Sequence, residues 1–532
     1  MDFALPDDLI RLLADLDAFI EREILPLQAQ DDNERFFDHR REYARTDFEN
    51  GGVPRPEWEE LLGEMFRRAD AAGWLRYGLP GEVGGSGGTN LDMAVIREHL
   101  AHRGLGLHND LQNESSVVGN FPFVHMLLEY GTPEQKEEFL EPMLAREKRI
   151  GFGLTEPDHG SDATWMETTA VRDGGDWVLN GAKRFNSGMH SATHDVVFAR
   201  TSGEPGDARG ITAFFVPAGA AGFSVDFHWW TLNMPTDHAE VTIRDVRVPG
   251  SAVFGAEGEG LAVAQTFVHE NRIRQAASGV GAGQYCIDRS VDYARKRLTF
   301  GRPLATRQAI QWPLVELQTE AEMLRGLVRK TAWELDRIPH LEISDRVSMC
   351  NYRANRFVCE AADRAMQVHG GLGYTRHTPF EHIYRHHRRY RITEGAEEVQ
   401  MRKVAGYLFG FAGPRHGEEL TRGAPCRGGP GQAAWPWRMA VKRSSARSSW
   451  PVMCRLIRSR SGVSGRLISS LSSGTSGRYL RASLRTLGPV VWIRPTPLSV
   501  KSDALMIRAA GWRSRLAVTW ARYWAWTSPP RS

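Results

Sequence analysis

The hydrophobic period of this 532-residue chain changes twice, and those changes divide it before any motif is read. Up to about residue 147 apolar residues recur at helical spacing. Leu9, Leu12, Leu13, Leu16 and Ile20 form one stripe, which Pro26 is expected to end. Thr132-Pro133-Glu134-Gln135 opens another helix, with Thr as N-cap and Pro in the first turn. From 150 to about 250 the spacing becomes alternating. Residues 168–185 read as a hairpin turning at Asp173-Gly174-Gly175-Asp176, and 195–200, 210–217 and 240–249 supply further strands. After Gly260 the helical period returns, and Leu314, Leu317, Ala321, Leu324 and Val328 step by three and four as a seam that needs a partner helix. Helix, strand, helix predicts an α+β protein of three domains: a helical domain over 1–147, a small antiparallel β domain over 148–254 and a four-helix bundle over 255–412.

Composition enters because its average hides a break. The formal charge is +3, yet residues 421–532 hold 20 Lys and Arg against one acid, Asp503, so that segment carries +19 and the first 420 residues carry −16. Half of the 16 tryptophans also fall after residue 434, among Arg and Ser with no sustained period. Residues 413–532 therefore read as a basic segment of low complexity without a fold of its own, of the kind GC-rich DNA yields when translated out of frame. Five scattered cysteines without CxxC spacing fit a reducing compartment and argue against a disulfide scaffold or a structural zinc site. The acidic start, MDFALPDDLI, is unlike a secretory signal, and no run of apolar residues is long enough to span a membrane. A cytoplasmic protein is the expectation.

Two stretches carry chemistry. The first, from Gly151 to Asp162 (GFGLTEPDHGSD), is a strand running into a turn-rich loop whose backbone N–H groups, hydroxyls and glycines suit the close approach of a flat polar ligand. The second, Ile392-Thr393-Glu394-Gly395-Ala396-Glu397-Glu398-Val399-Gln400, offers acids at a helix start. On residue types alone each has a bland reading, a plain turn and a solvated acid. The glycine-rich 81–89 stretch lacks GxGxxG spacing after a strand and reads as a surface connection. His382 and His386, four apart, sit among Arg385, Arg388 and Arg389 and read as a basic helix face, not a metal site.

With Arg297-Leu298-Thr299-Phe300-Gly301 and Gly370-Gly371-Leu372-Gly373-Tyr374, these stretches resemble, in order and spacing from about 5 to 412, the acyl-CoA dehydrogenase family of FAD flavoproteins. The resemblance implies that Glu394 is the base that removes the substrate α-proton, with its own backbone N–H polarising the thioester carbonyl, while Gly395 lets the acyl-CoA approach and Arg272 lies beside both. It implies that Leu154, Thr155, Gly160 and Ser161 hold the flavin ring edge and pyrophosphate. Phe185 and Ser187 stand where the family commonly has Trp and Thr, although Phe185 also reads as an ordinary core aromatic. Arg297, Thr299 and Phe300 match residues on the FAD diphosphate and adenine, and Gln308, Gln367, Gly370 and Gly371 match positions that complete that site from a neighbouring subunit. A homodimer or homotetramer passing electrons to an electron-transfer flavoprotein is implied. An oxidase of the same fold is the nearest rival reading. A DNA-associated flavoprotein using the basic tail is a further one, weakened by an intact Glu394 site that a pure binder would not need. Ala396 departs from the family's usual Thr and His386 from its usual Asp, and TEGAEEVQ is closer to a large atypical subgroup. The substrate cavity is expected among 91–118 and 231–240, without a readable code for acyl length.

Overall fold

The computed structural model describes residues 4–110, 115–232 and 235–411, together with six short strands between 438 and 508. The first helix, α1 (Asp7–Phe19), does not stop at Pro26. It runs through a π turn at Ile20–Ile24 into α2 (Leu25–Ala29), with Pro26 in the first turn of α2. Proline has no N–H to give, and the π turn shifts the hydrogen-bond ladder just where that donor is missing, so the helix passes the proline. A two-strand ribbon, β1 (Thr46–Asp47) and β2 (Val53–Pro54), precedes α3 (Pro56–Ala71), α4 (Asn90–His102), α5 (Pro122–Tyr130) and α6 (Pro133–Leu144). Thr132 caps α6 as the sequence announced and with Gln135 forms a reciprocal capping box, and Thr89 and Asp92 form another at the start of α4.

The middle segment is an eight-stranded sheet: β3 (Ile150–Gly153), β4 (Thr169–Asp173), β5 (Asp176–Asn186), β6 (His194–Arg200), β7 (Ile211–Pro217), β8 (Phe223–His228), β9 (Ala239–Pro249) and β10 (Val253–Phe254). The hairpin forms as expected, with Gly174 at φ 64° in its turn. The sheet is mixed rather than purely antiparallel. The incoming β3 runs parallel to β6, and β4 meets β6 through a parallel bridge at Thr169 and Arg200. Both strands are reached from β6 by connections other than a hairpin, which frees them from antiparallel pairing.

Then come α7 (Gly260–Lys296), a small hairpin of β11 (Leu298–Thr299) and β12 (Arg302–Pro303), α8 (Gln308–Leu335), α9 (Ser344–His369), α10 (Phe380–Arg389) and α11 (Glu397–Leu408). The seam of Leu314, Leu317, Ala321, Leu324 and Val328 is buried in one core with residues of α7 and α9. Ala94 and Ala101 of α4 enter the same core. A Cβ on Gly281 would lie 2.1 Å from the Glu98 carbonyl oxygen, so α4 and α7 meet backbone to backbone. On α10, His382, His386 and His387 are buried, which corrects the reading of a basic exposed face; Arg385 turns to Glu42 and Glu381 instead. No helix among the described residues is long and apolar enough to cross a membrane.

Residues up to Arg422 and from Gly423 onward form separate units. In the second, β13 (Arg438–Ala440) pairs with β14 (Arg455–Ile457), and β15 (Ile468–Gly474), β16 (Gly477–Ser483), β17 (Val491–Ile493) and β18 (Ile507–Arg508) form an antiparallel sheet in that order. The expectation of a tail without a fold otherwise falls on residues outside those described.

Candidate active site

Glu394 lies in the loop between α10 and α11 at φ 54°, and Gly395 follows at φ 88°. Two successive left-handed residues are unfavourable for any side chain at the first of them, so something must hold the turn. Arg272 does so from α7, donating Nε and Nη2 to the Glu394 carbonyl oxygen at 3.0 and 2.6 Å. A Cβ at 395 would stand 2.6 Å from Arg272 Nη2. Glycine is therefore required there by the arginine as well as by the backbone angle. Burial pushes the Arg272 guanidinium down to about 10, against the pull of Glu394. The Glu394 carboxylate accepts from Gln275 Nε2 at 2.8 Å, a contact no sequence motif announced.

The neighbouring acids have other duties. Glu397 is buried, not solvated; hydrogen bonds from Arg391 and then Arg356 hold it at about 2. Glu398 is exposed.

The loop after β3 is held from beneath. Glu156 accepts from the backbone N–H of Glu167 and Thr168 at 2.6 and 2.9 Å and pairs with Lys183 Nζ at 2.8 Å. Burial pushes Lys183 down to about 8 despite that partner, and burial raises Asp195, bonded to Asn186, to about 7. The Arg184 N–H donates to the Thr155 carbonyl at 2.8 Å. Above this floor Leu154 and Thr155 are half-buried, and Gly160, Ser161 and Ser187 are exposed. Phe185 is the extra residue of a β-bulge between β5 and β9, at φ 63° and 46% exposed. The bulge turns its ring out of the sheet, so Phe185 is not a core aromatic. Only Thr155 Cγ2, at 3.8 Å, comes near the place of a Cβ on Gly160, which leaves the main chain open to a ligand. A preformed loop, an outward aromatic and exposed hydroxyls fit a flavin.

The raised Asp195 has a consequence for stability. Its folded pKa lies above its unfolded value, so its contribution is complete below about pH 4 and is lost as pH rises through about 7. Asp195→Asn is expected to remove that slope: its melting temperature should exceed the wild type's by several degrees at pH 8 and lose the advantage at pH 4.5, read by calorimetry at both.

One contact brings the two halves of the site together. Phe152 of β3 stacks on Phe267 of α7 with centroids 4.1 Å apart, five residues before Arg272. Five helical residues span about 7 Å, so the loop and Glu394 flank the same third of α7.

Residues 30–147, 151–246 and 258–409 match, in that order, the N-terminal, middle and C-terminal domains of acyl-CoA dehydrogenase. A 3-(aryl)acrylate reductase of Clostridium sporogenes is 32% identical over 373 residues, 69% of this chain and 96% of that one. The chain belongs to the acyl-CoA dehydrogenase family. It is also similar to a subunit of a caffeyl-CoA reductase–Etf complex of Acetobacterium woodii, at 30% identity over 68% of this chain and 91% of that one. The structure of butyryl-CoA dehydrogenase from Megasphaera elsdenii superposes with a TM-score of 0.63 at 27% identity, covering 77% of this chain and all of that one. Acyl-CoA dehydrogenases are FAD flavoproteins and oxidoreductases acting on CH–CH groups, and FAD is the cofactor here.

The other candidate cofactor residues of this family member lie elsewhere. Arg297 caps α7, Thr299 and Phe300 lie in the hairpin beyond it, and Gln308 opens α8. Gln367, Gly370 and Gly371 end α9, whose His369 stacks on Tyr293 of α7 at 4.3 Å. The seven residues thus gather at one end of the bundle, with Phe300 95% exposed at φ 50°. Arg297 follows Phe267 by 30 residues of continuous helix, about 45 Å along the axis. That exceeds the length of an FAD molecule, so one FAD seated on the 154–161 loop would not reach these residues of the same chain. The match had divided the seven between two subunits; α7 places them together.

A cavity of about 440 Å³ adjoins α7 one turn before Arg272, lined by His125, Glu129, Thr266, His269, Glu270 and His340. His269 and His340 meet through their Nδ1 atoms at 2.6 Å, so one of the two carries the shared proton. The expected cavity residues 91–118 and 231–240 fall partly outside those described.

Proposed function

We propose that the chain is an FAD-dependent acyl-CoA dehydrogenase that forms a trans double bond between Cα and Cβ of an acyl-CoA thioester. The observation that carries this reading is the meeting of a strained acid, Glu394, and the loop-and-bulge face of Thr155 and Phe185 on one third of α7. FAD, when bound, takes the β-hydrogen with its electron pair. The chain does the rest. Glu394 removes the α-proton, and its backbone N–H donates to the thioester carbonyl, where charge develops as that proton leaves. Arg272 fixes the turn that aims both groups, and Gly395 makes room for the arginine. The polar cavity beside His269 takes part of the CoA arm.

Arg297, Thr299, Phe300, Gln308, Gln367, Gly370 and Gly371 clamp the diphosphate and adenine of the partner subunit's FAD, so the active unit is a homodimer or a pair of them. Arginine suits a diphosphate because its planar fork donates twice and stays charged. Electrons pass to an electron-transfer flavoprotein, which the name of the Acetobacterium woodii relative supports. Three relatives are named reductases, and the same groups serve the reverse reaction, in which Glu394 returns the proton to Cα.

The test is anaerobic titration of the yellow protein with acyl-CoAs of graded length and branching. One class of thioester is expected to bleach the flavin band within seconds, with the enoyl-CoA recovered in equal amount. Failure of every saturated acyl-CoA to bleach it would overturn the reading, and stoichiometric oxygen uptake during turnover would favour the oxidase.

A further inference from the structure

Beneath Glu394 lies a set of buried amides from three helices. Gln275 of α7, Asn351 of α9 and Gln400 of α11 are all 2% exposed or less. Two backbone carbonyls fix which way round these amides sit. Asn351 Nδ2 donates to the Arg272 carbonyl at 3.0 Å, and Gln400 Nε2 to the Gly395 carbonyl at 2.8 Å, so both nitrogens are the donating ends. Asn351 Nδ2 also donates to Gln275 Oε1 at 3.1 Å, while Asn351 Oδ1 accepts from Gln400 Nε2 at 3.0 Å. With its oxygen committed to Asn351, Gln275 has only its Nε2–H to offer, and it offers it to Glu394 Oε1 at 2.8 Å. The set continues to Asn355, which donates to the Asn351 carbonyl, and to His387 beside Asn355 Oδ1.

We propose that Gln275 is a positioning residue, held by Asn351 and Gln400, that keeps the Glu394 carboxylate ionised and in one orientation towards the substrate. This rests on the reading of Glu394 as the base. A donor fixed to a carboxylate favours its charged form and restricts its rotamers. An apolar side chain at 275 would leave Asn351 and Gln400 their backbone partners, the Arg272 and Gly395 carbonyls, but take this one donor from the carboxylate.

Other titratable groups around the base are Arg272 of α7, His269 of α7 held neutral by burial, Lys403 of α11 with Asp345 of α9, and the Glu397 cluster with Arg356 and Arg391. His387 of α10 stays neutral, pushed by burial down to about 3. Substitution at 275 touches none of them, so a difference between variants reports on position 275.

The experiment compares wild type, Gln275→Met, Gln275→Glu and Glu394→Gln as FAD-loaded enzymes. It measures the acid limb of kcat/KM and the rate of solvent deuterium exchange at Cα of the best acyl-CoA. Removing one charge-assisted donor should move the limb of Gln275→Met up by about one pH unit and slow exchange about tenfold. Gln275→Glu keeps shape and the bond from Asn351 but sets a second carboxylate against Glu394, so its limb should move further up. Melting temperatures show whether each variant is folded. Slower exchange in both variants with the limb unmoved would mean that Gln275 only supports the fold, and the proposal fails. If Glu394→Gln still exchanges the α-hydrogen, the reading of the base fails first, and this inference with it.

Discussion

Glu394→Gln is expected to bind FAD with wild-type stoichiometry and to be reduced by acyl-CoA between about a hundred and ten thousand times more slowly. The substitution keeps size, polarity and a plausible bond to Gln275, because the amide oxygen at 394 can still accept from Gln275 Nε2. It removes only the capacity to take a proton. Stopped-flow reduction under nitrogen measures the rate, and the flavin absorbance of the same sample gives the occupancy. A variant keeping more than a tenth of the wild-type rate would remove Glu394 from the reaction. Loss of bound FAD as well would point to a structural acid.

The second large effect comes from the reach of α7. If the partner's Arg297 clamps the cofactor, Arg297→Glu should lose most of its flavin and its activity, because a carboxylate would then face the diphosphate. The decisive sample is a mixture. Unfolding and refolding Glu394→Gln with Arg297→Glu yields mixed dimers, each with one site that has both a native Glu394 and a native Arg297 from the other chain. Random pairing of a symmetric dimer then restores about a quarter of wild-type sites from two inactive parents. Complementation of turnover from near zero is the expected result. No recovery would mean that both residues serve one cofactor within a single chain, against the 30 helical residues between Phe267 and Arg297.

The parts of this site that the sequence showed were those made of consecutive residues. The loop of Leu154 and Thr155, the turn at Glu394 and Gly395 and the hairpin at Arg297 each place their candidate residues in a few adjacent positions. Gln275 does not: its partner is 119 residues away, and nothing in NRIRQAAS says which way it faces. A weaker signal was present. Helix α7 buries Asn271, Arg272, Arg274, Gln275 and Ser278 in one stretch, and a helix that must bury so many polar groups needs polar partners on several sides. The histidines of α10 were misread for the converse reason, since neighbouring arginines suggested an exposed face. His39, stacked on His382 at 4.3 Å, comes from a distant part of the chain and buries it. Pro26 was misread because a π turn leaves almost no period to read, and β3, read as a strand, carried no sign that it pairs in parallel with β6.

The turn at Glu394 has one more consequence, for anyone who would engineer this enzyme. A glutamate at φ 54° costs on the order of 1–3 kcal/mol that glycine would not. A library ranked by heat resistance alone would therefore favour glycine at 394 wherever that gain outweighs the lost bond from Gln275, and with Glu394 as the proposed base such survivors would be inert. Phe185 and Phe300 sit in the same left-handed region and would drift the same way. Selection for robustness in this chain has to be run with the flavin bound and the substrate turning over, or it will select against the chemistry.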